Sequence, residues 1–148
     1  QALVVAASTP QPRRVVNGVD SSRVAMVLAV LERHAGMQLG TKDVYVSTVG
    51  GIKLTEPGAD LAIALAIASA DRNVALSGRL AAIGELSLAG EIRAASAVKR
   101  RATEARRLGY TRVIDDSVAL VRNAIPEAIS QGRREAESRP RLVAVPDF

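Results

Sequence analysis

The segment ADLAIALAIASA, residues 59–70, constrains the fold more than any other part of the sequence. It has the length of a helix, and apolar side chains occupy nearly every position around it. Such a helix must be buried on most of its sides, and its alanines allow neighbouring backbones to approach closely. The rest of the chain must therefore surround it. Pro57 and Gly58 precede it and mark the turn into the helix.

The composition restricts the kinds of site that the chain can carry. Hydrophobic residues make up 48% of it, which is typical of a folded domain, but only Tyr45, Tyr110 and Phe148 are aromatic. So few aromatic side chains argue against recognition of nucleic acid by a row of stacked bases. The absence of cysteine excludes disulfides, zinc–thiolate sites and cysteine nucleophiles, and it fits a reducing compartment.

The length of 148 residues predicts a single domain spanning 1–148. No run of about 18 apolar residues is present that could form a membrane span, and no basic-then-apolar leader opens the chain. The chain starts without Met and runs directly into the strand-like ALVVAAS. We therefore expect a fragment of a longer, cytoplasmic protein.

Strands and helices alternate along the chain, which predicts a layered α/β or α+β domain. Asp20 or Ser21 caps the first helix and Gly36 ends it, while Ser96 and Gly109 bound a later one. The expected helices are 21–35, 59–70, 96–108 and 117–124. The expected strands are 1–8, 43–49, two short strands within 80–94 around the turn Leu88-Ala89-Gly90, 112–114 and 141–145.

Most familiar catalytic arrangements find little support. His34, the only histidine, stands at the end of a helix, where a dipole-compatible surface residue is more typical than a general base. No acids or histidines have metal-ligand spacing. Gly50-Gly51-Ile52-Lys53 lacks the Gly-Lys-Ser/Thr ending of a phosphate-binding loop. Ser–Lys catalysis stays open; it needs a serine at a helix N-terminus and a desolvated lysine.

Three segments in order identify a family: NGVDSSRVAMVLAVLERHAG, DVYVSTVGGIKLTEPGADLAIALAIAS and GELSLAGEIR. Together they resemble the C-terminal domain of the RadA (Sms) family of bacterial DNA-repair proteins, which is similar to the proteolytic domain of Lon protease. The resemblance covers nearly the whole chain, with a looser match in the last twenty residues. It implies a fold like Lon and like domain 2 of ribosomal protein S5.

The resemblance also implies that the protease site is vacant. The Lon family carries Gly-Pro-Ser-Ala-Gly at the helix start, whereas this chain has Glu56-Pro57-Gly58-Ala59-Asp60. Gly58 stands in place of the nucleophile, and the position of the Lon base lysine corresponds to Lys99. Without an oxygen at position 58 no acyl-enzyme can form, so we expect no peptidase activity. The alternative is a peptidase that uses another serine, such as Ser87 or Ser96.

RadA proteins resemble three-part chains, with a zinc-binding module, a RecA-like ATPase motor and this domain. The resemblance therefore implies ATP, Mg and Zn only in the missing N-terminal parts, and no cofactor here. It implies a scaffold and DNA-binding role in hexameric rings that process branched recombination intermediates with the RecA recombinase. A pure oligomerisation module without DNA contact is a further alternative.

Two groups of basic residues are candidates for contacts with DNA phosphates, which bind Lys and Arg without sequence preference. The loop group lies at loops and element ends and contains Arg13, Arg14, Arg23, Lys53 and Arg93. The helix group lies on the expected helix 96–108 and contains Lys99, Arg100, Arg101, Arg106 and Arg107. A solvated basic helix face is the alternative interpretation of the second group.

Overall fold

The computed structural model describes residues 1–138, in which four helices pack with three small sheets. The helices are α1 (Ser21–Ala35), α2 (Asp60–Arg72), α3 (Val98–Arg107) and α4 (Val121–Ser138). The strands are β1 (Ala2–Ala6), β2 (Arg14–Asn17), β3 (Lys42–Ser47), β4 (Leu80–Ala82), β5 (Glu85–Leu86), β6 (Ile92–Arg93) and β7 (Arg112–Ile114). The mixed α/β class is therefore confirmed. The strand expected at 141–145 lies outside the described residues.

Helix α2 occupies the centre of the core, as its apolar sequence predicts. It packs against β1 and β3 on one side, and α1, α4, β4 and β5 cover others. Leu61, Leu65 and Ile67 are almost fully buried, and Ala62 is the one exposed residue in its first two turns. Burial of each large aliphatic side chain contributes about 1.5–3 kcal/mol, so this helix carries much of the stability.

The main sheet has the strand order β1-β3-β2, and β3 lies in its centre. Strand β1 runs antiparallel to β3 with Leu3 opposite Tyr45, and β2 runs parallel to β3 with Val15 opposite Tyr45. Two smaller pairs complete the set: β4 with β7 in parallel, and β5 with β6 as an antiparallel hairpin. Parallel and antiparallel pairs together are typical of an α+β arrangement.

The ends of α1 follow the signals in its sequence. The Asp20 carboxylate accepts a hydrogen bond from the Arg23 amide at 2.9 Å, so Asp20 rather than Ser21 is the cap. The Ser22 hydroxyl and the Arg23 amide lower the pKa of the Asp20 carboxyl by hydrogen bonding to its charged form. Gly36 closes the helix in the left-handed conformation, with φ of 65°.

Several expected elements are wrong in extent. No strand was expected between 8 and 20, whereas β2 lies there and pairs with β3. The segment 80–94 holds three strands rather than two, because β4 pairs with the distant β7. Helix α3 begins at Val98 rather than Ser96, since Ala97 has a left-handed φ of 52°. Such pairings and turns depend on partners far along the chain.

The last helix departs most from its expected bounds. Residues 117–124 were expected to form a short helix, whereas α4 begins at Val121 and runs to Ser138 through Pro126. Pro126 is the sixth residue of α4, so the helix lacks the hydrogen bond that an amide at this position would donate to the Arg122 carbonyl, and packing must offset that loss. Val121, Ala124, Ile125, Ala128 and Ile129 are buried, so packing on α1 and α2 accounts for the additional length.

Asp60 is a fully buried charge at the start of α2. Its carboxylate accepts two bonds from the Arg23 guanidinium, at 2.6 Å from Nε and 3.1 Å from Nη2, and a third from the Leu86 amide at 3.1 Å. The side chain of Arg23 is 28% exposed, so the cation keeps contact with water. This carboxylate thereby joins three elements, α1, α2 and β5. A charged side chain can be buried at acceptable cost when it is paired and hydrogen-bonded, as Asp60 is.

We expect Asp60→Asn to destabilise the chain by about 3 kcal/mol, because the neutral amide loses the ion pair and places an NH₂ group among three donors. Urea unfolding at neutral pH measures this as a lower midpoint at an unchanged slope. Glu104→Gln is the matched control, since it breaks the exposed pair with Arg107 and should leave the midpoint nearly unchanged. Equal midpoints for the two variants would contradict the structural role of Asp60.

Candidate functional site

The turn before α2 is held by backbone hydrogen bonds rather than by catalytic side chains. Pro57–Ala59 form one turn of 3₁₀ helix that leads directly into α2. The Gly58 carbonyl accepts from the Gly84 amide at 2.9 Å, and the Gly84 carbonyl accepts from the Leu61 amide at 3.1 Å. The turn is thereby attached to the segment that begins β5, and Gly58 itself is buried.

The space at Gly58 is filled by its neighbours. A Cβ atom built on Gly58 would lie 2.7 Å from the Ala95 Cβ and 3.5 Å from Nη1 of Arg101. Carbon atoms do not approach to 2.7 Å without displacement, and Ala95 is itself buried. A serine at this position would therefore have to move Ala95 before its oxygen had any room.

Arg101, rather than Lys99, is the cation beside Gly58. Its guanidinium pairs with the Glu56 carboxylate at 2.8 Å, across the outside of the turn. Lys99 and Arg101 are about 200° apart around the helix, so they face different sides of α3. Lys99 lines another groove, of about 380 Å³, together with Arg106, Asp115 and Asp116. Gly58, which the resemblance to Lon places at the nucleophile position, is not among the residues that line this groove.

The other side chains considered for catalysis have structural surroundings. The Ser87 hydroxyl is buried and exchanges hydrogen bonds with Glu91, accepting from its amide at 3.2 Å. Ser96 is exposed on the segment before α3. Nε2 of His34 lies 2.8 Å from the Leu88 carbonyl, which ties the end of α1 to the β5–β6 turn. Across residues 1–138, no cluster of three or more His, Asp or Glu side chains is placed to hold a metal ion.

Internal partners already occupy much of the loop group. Arg23 is paired with Asp60. The Arg14 guanidinium donates to the Leu39 carbonyl at 2.8 Å and to the Lys42 carbonyl, and Arg93 lies 3.3 Å from the Glu91 carboxylate. Lys53 has no ion pair within the described part of the chain.

The loop group is also dispersed in space. Arg13 and Arg14 lie at the start of β2, whereas Lys53 lines a recess with Gly18 and Asp20 beyond its other end. The four residues of β2 separate these positions by roughly 13 Å. The backbone of Arg93 approaches Gly84, which binds the Gly58 turn, so Arg93 lies near that turn whereas Lys53 lines the separate recess beside Asp20.

Helix α3 carries the densest set of cations without carboxylate partners. Arg107 pairs with Glu104 at 2.6 Å, and this hydrogen bond lowers the pKa of the Glu104 carboxyl. Arg101 is paired with Glu56. The remaining three cations form no ion pair with any described residue: Lys99, Arg100 and Arg106. The sequence alone does not distinguish the five cations of this helix, because a partner such as Glu56 is far away along the chain.

Among the helices of residues 1–138, none combines the length and the hydropathy that a membrane span requires.

The sequence did not predict three contacts of this region: the buried charge of Asp60, the contact of Gly58 with Ala95, and the Glu56–Arg101 pair. One signal was available for the first of them. An acid that opens an otherwise apolar helix needs a cationic or amide partner, although the sequence does not say which.

Comparison with known proteins agrees with the three sequence segments. The chain is 50% identical over 114 residues to the DNA repair protein RadA of Mycolicibacterium smegmatis, which covers 77% of this chain and 24% of the relative. It is 43% identical over 129 residues to the RadA proteins of Escherichia coli and Halalkalibacterium halodurans, covering 87% of this chain and 28% of each relative. The chain thus spans about a quarter of the length of these relatives.

A family model described as subunit ChlI of Mg-chelatase matches residues 19–117. This range runs from the residue before the α1 cap to the turn after β7, and it includes the Gly58 turn and all of α3. The alignments with the RadA relatives, over 114 and 129 residues, are longer than this range. The chain therefore belongs to the family described as subunit ChlI of Mg-chelatase. Within that family, it is a domain of the type that forms the C-terminal part of bacterial RadA DNA-repair proteins.

Proposed function

We propose that this domain is a non-catalytic scaffold and DNA-binding part of a RadA-type DNA-repair protein. The observation that carries the proposal is the set of three unpaired cations on α3, in a chain whose relatives are named for DNA repair. Cations without internal partners are available to phosphates, whereas paired ones must first lose a carboxylate.

The absence of catalysis rests on Gly58 and its surroundings. No side-chain oxygen exists at the helix start, and Ala95 occupies the space that such an oxygen would need. Lys99, which would serve as the base, lines a separate groove with Asp115 and Asp116. We infer a Lon-like fold, related to domain 2 of ribosomal protein S5, in which the protease site has become a packing contact.

Arg100 is the strongest single candidate for a phosphate contact. Asp115 and Asp116 lie in the groove that Lys99 and Arg106 line, and their negative charge lowers the positive potential there. Arg100 does not line that groove, and its side chain is exposed. Within the loop group, Lys53 has no ion pair with a described residue and Arg93 has only an exposed one with Glu91, so these two are the next candidates.

A scaffold role is favoured by the outer face of the main sheet. Leu3, Val5 and Val15 are 55%, 41% and 48% exposed and lie on neighbouring strands around Tyr45. Exposed apolar patches of this kind mark surfaces that associate with other proteins. In the longer protein, we propose that this face contributes to a hexameric ring.

The rest of the longer protein supplies the chemistry in this proposal. A RecA-like motor would hydrolyse ATP with Mg, a zinc module would precede it, and the assembly would act in the cytoplasm on branched recombination intermediates with the RecA recombinase. The support is the agreement of this chain with about a quarter of each RadA relative.

We expect Gly58→Ser to produce no peptidase activity and to destabilise the chain by about 1–3 kcal/mol, because the new side chain overlaps Ala95. Urea unfolding and a fluorogenic-peptide assay measure the two effects. The double variant Gly58→Ser/Ala95→Gly should be more stable than the sum of the single changes by about 1 kcal/mol, since the second change opens the space. Turnover by the wild-type chain that Lys99→Ala abolishes would refute the non-catalytic assignment.

We expect the 148-residue chain to bind DNA at low salt, and Lys99→Ala/Arg100→Ala/Arg106→Ala to reduce the salt dependence of that binding. Each lost phosphate contact lowers the slope of log K against log salt by about 0.7 for single strands and 0.9 for duplexes. Fluorescence anisotropy of a labelled oligonucleotide over a salt series gives both the affinity and the slope.

The matched control for this triple variant is Arg33→Ala/Arg72→Ala/Arg122→Ala, which removes the same charge from exposed positions on α1, α2 and α4. Equal losses in the two triple variants would mean that only net charge matters and that α3 is not the interface. Lys53→Ala/Arg93→Ala tests the loop group in the same assay, and a larger loss in this variant would move the interface to that group. No binding by the wild-type chain at low salt would leave only the scaffold role.

A further inference from the structure

The C-terminal end of α3 forms a recess that none of the features above uses. It has a volume of about 470 Å³ and lies on the side of α3 away from Asp115 and Asp116. We define it as the Tyr110 recess, lined by Ala97, Arg100, Arg101, Ala105, Leu108 and Tyr110. Glu104 is also on its wall, with its carboxylate held by Arg107.

The helix cap determines where Tyr110 lies. The Gly109 amide donates to the Arg106 carbonyl and the Tyr110 amide to the Ala105 carbonyl, both at 3.0 Å. This pair of bonds is the Schellman motif, and Gly109 has the positive φ of 94° that the motif requires. The chain therefore turns back at Gly109, which places Tyr110 over the helix face that carries Ala97 and Ala105.

The lining of the recess is apolar and aromatic, with guanidinium groups at its side. Tyr110 is 38% exposed and Leu108 62% exposed, so both present apolar surface to solvent. The Tyr110 hydroxyl makes no hydrogen bond within residues 1–138. Arg100 has no ion pair there either, whereas Arg101 is held by Glu56. Planar apolar surface beside a free guanidinium is the combination that holds an unpaired nucleobase and its phosphate.

We propose that the Tyr110 recess binds one unpaired base of single-stranded DNA, stacked on the Tyr110 ring, with the adjoining phosphate at Arg100. The inference rests on the proposed DNA-binding function and deepens it by naming the form of DNA that this site takes. In a duplex the bases are stacked within the helix, so a duplex can offer its phosphates to Arg100 but no base to Tyr110. The site therefore distinguishes single-stranded from double-stranded DNA.

The charge around the recess favours a nucleic acid over a peptide. Helix α3 carries five cations and one carboxylate, and the unpaired Arg100 stands on the wall of the recess, which favours a polyanion there. A single recess also agrees with the few aromatic residues of the chain: it holds one base rather than a row of them. The lining offers few hydrogen-bonding groups, so the stacked base is bound with little sequence preference.

Intrinsic fluorescence tests the contact directly, because the chain has no Trp and only two Tyr residues. In Tyr45→Phe, Tyr110 is the only tyrosine that emits. We expect a single-stranded oligothymidylate to quench this emission and a blunt duplex to leave it unchanged. The matched control is Tyr110→Phe, in which Tyr45 on the main sheet emits and should respond only to absorption of light by the DNA.

Affinity measurements separate stacking from charge. We expect Tyr110→Ala to weaken binding of the oligothymidylate by roughly 5- to 100-fold, the loss of one stacked base, with duplex binding unchanged. Tyr110→Phe should retain nearly the wild-type affinity, because it keeps the ring. If Tyr110→Ala fails to fold, the quenching of Tyr110 emission in the Tyr45→Phe variant tests the inference by itself.

The possible outcomes distinguish this inference from the proposed function. If the chain binds both forms of DNA and the Tyr110 emission does not change at saturation, the recess is not the base site, while the DNA-binding function stands. Equal losses for single strands and duplexes in a folded Tyr110→Ala variant would overturn the inference in the same way. If the wild-type chain binds neither form of DNA, the inference and the DNA-binding function fail together.

Discussion

The burial of α2 is the constraint on which the rest of the structure depends. Its side chains are apolar on nearly all sides, so the sheet, α1, α4 and the short strands must all pack around it. Asp60 is the exception at its start, and this carboxylate is fully buried with three hydrogen-bond donors. A paired charge in this position specifies how α1 and β5 meet the helix, because an unpaired one would be strongly unfavourable.

The Gly58 turn is held by backbone hydrogen bonds and carries no side-chain oxygen at position 58. The Gly58 carbonyl binds the Gly84 amide, and the turn directs the chain into α2. Ala95 packs where a nucleophile would need space, and the Glu56–Arg101 pair lies across the outside. A serine at position 58 would therefore meet a packed interior rather than an empty cleft.

Ion pairs and hydrogen bonds within the fold determine which cations are available to a partner. By sequence, the ten candidate lysines and arginines are equivalent in type. In the fold, Arg23 serves Asp60, Arg14 binds backbone carbonyls, and Arg101 and Arg107 face glutamates. Three of the cations that remain unpaired lie on α3, and one of them, Arg100, lines the recess that Tyr110 closes. Both parts of the DNA-binding proposal therefore concern one helix.

The sequence alone determined features that depend on neighbouring residues. Periodicity and turn residues predict the helical span of α2, its burial and the strand at 112–114. They also predict the cap of α1 at Asp20 or Ser21 and its end at Gly36. The family also followed from three segments, as the RadA relatives confirm. The absence of an oxygen at position 58 is visible from the residue type.

Only the tertiary structure decided what depends on contacts between distant residues. Strand β2, the pairing of β4 with β7 and the length of α4 rest on partners at least 28 residues away or on packing against other helices. The choice of Arg101 over Lys99 as the neighbour of Gly58 follows from the rotation of α3 against that turn. A local pattern specifies which face of a helix is apolar, but the partner of each charged side chain is specified only when the chain has folded around its core.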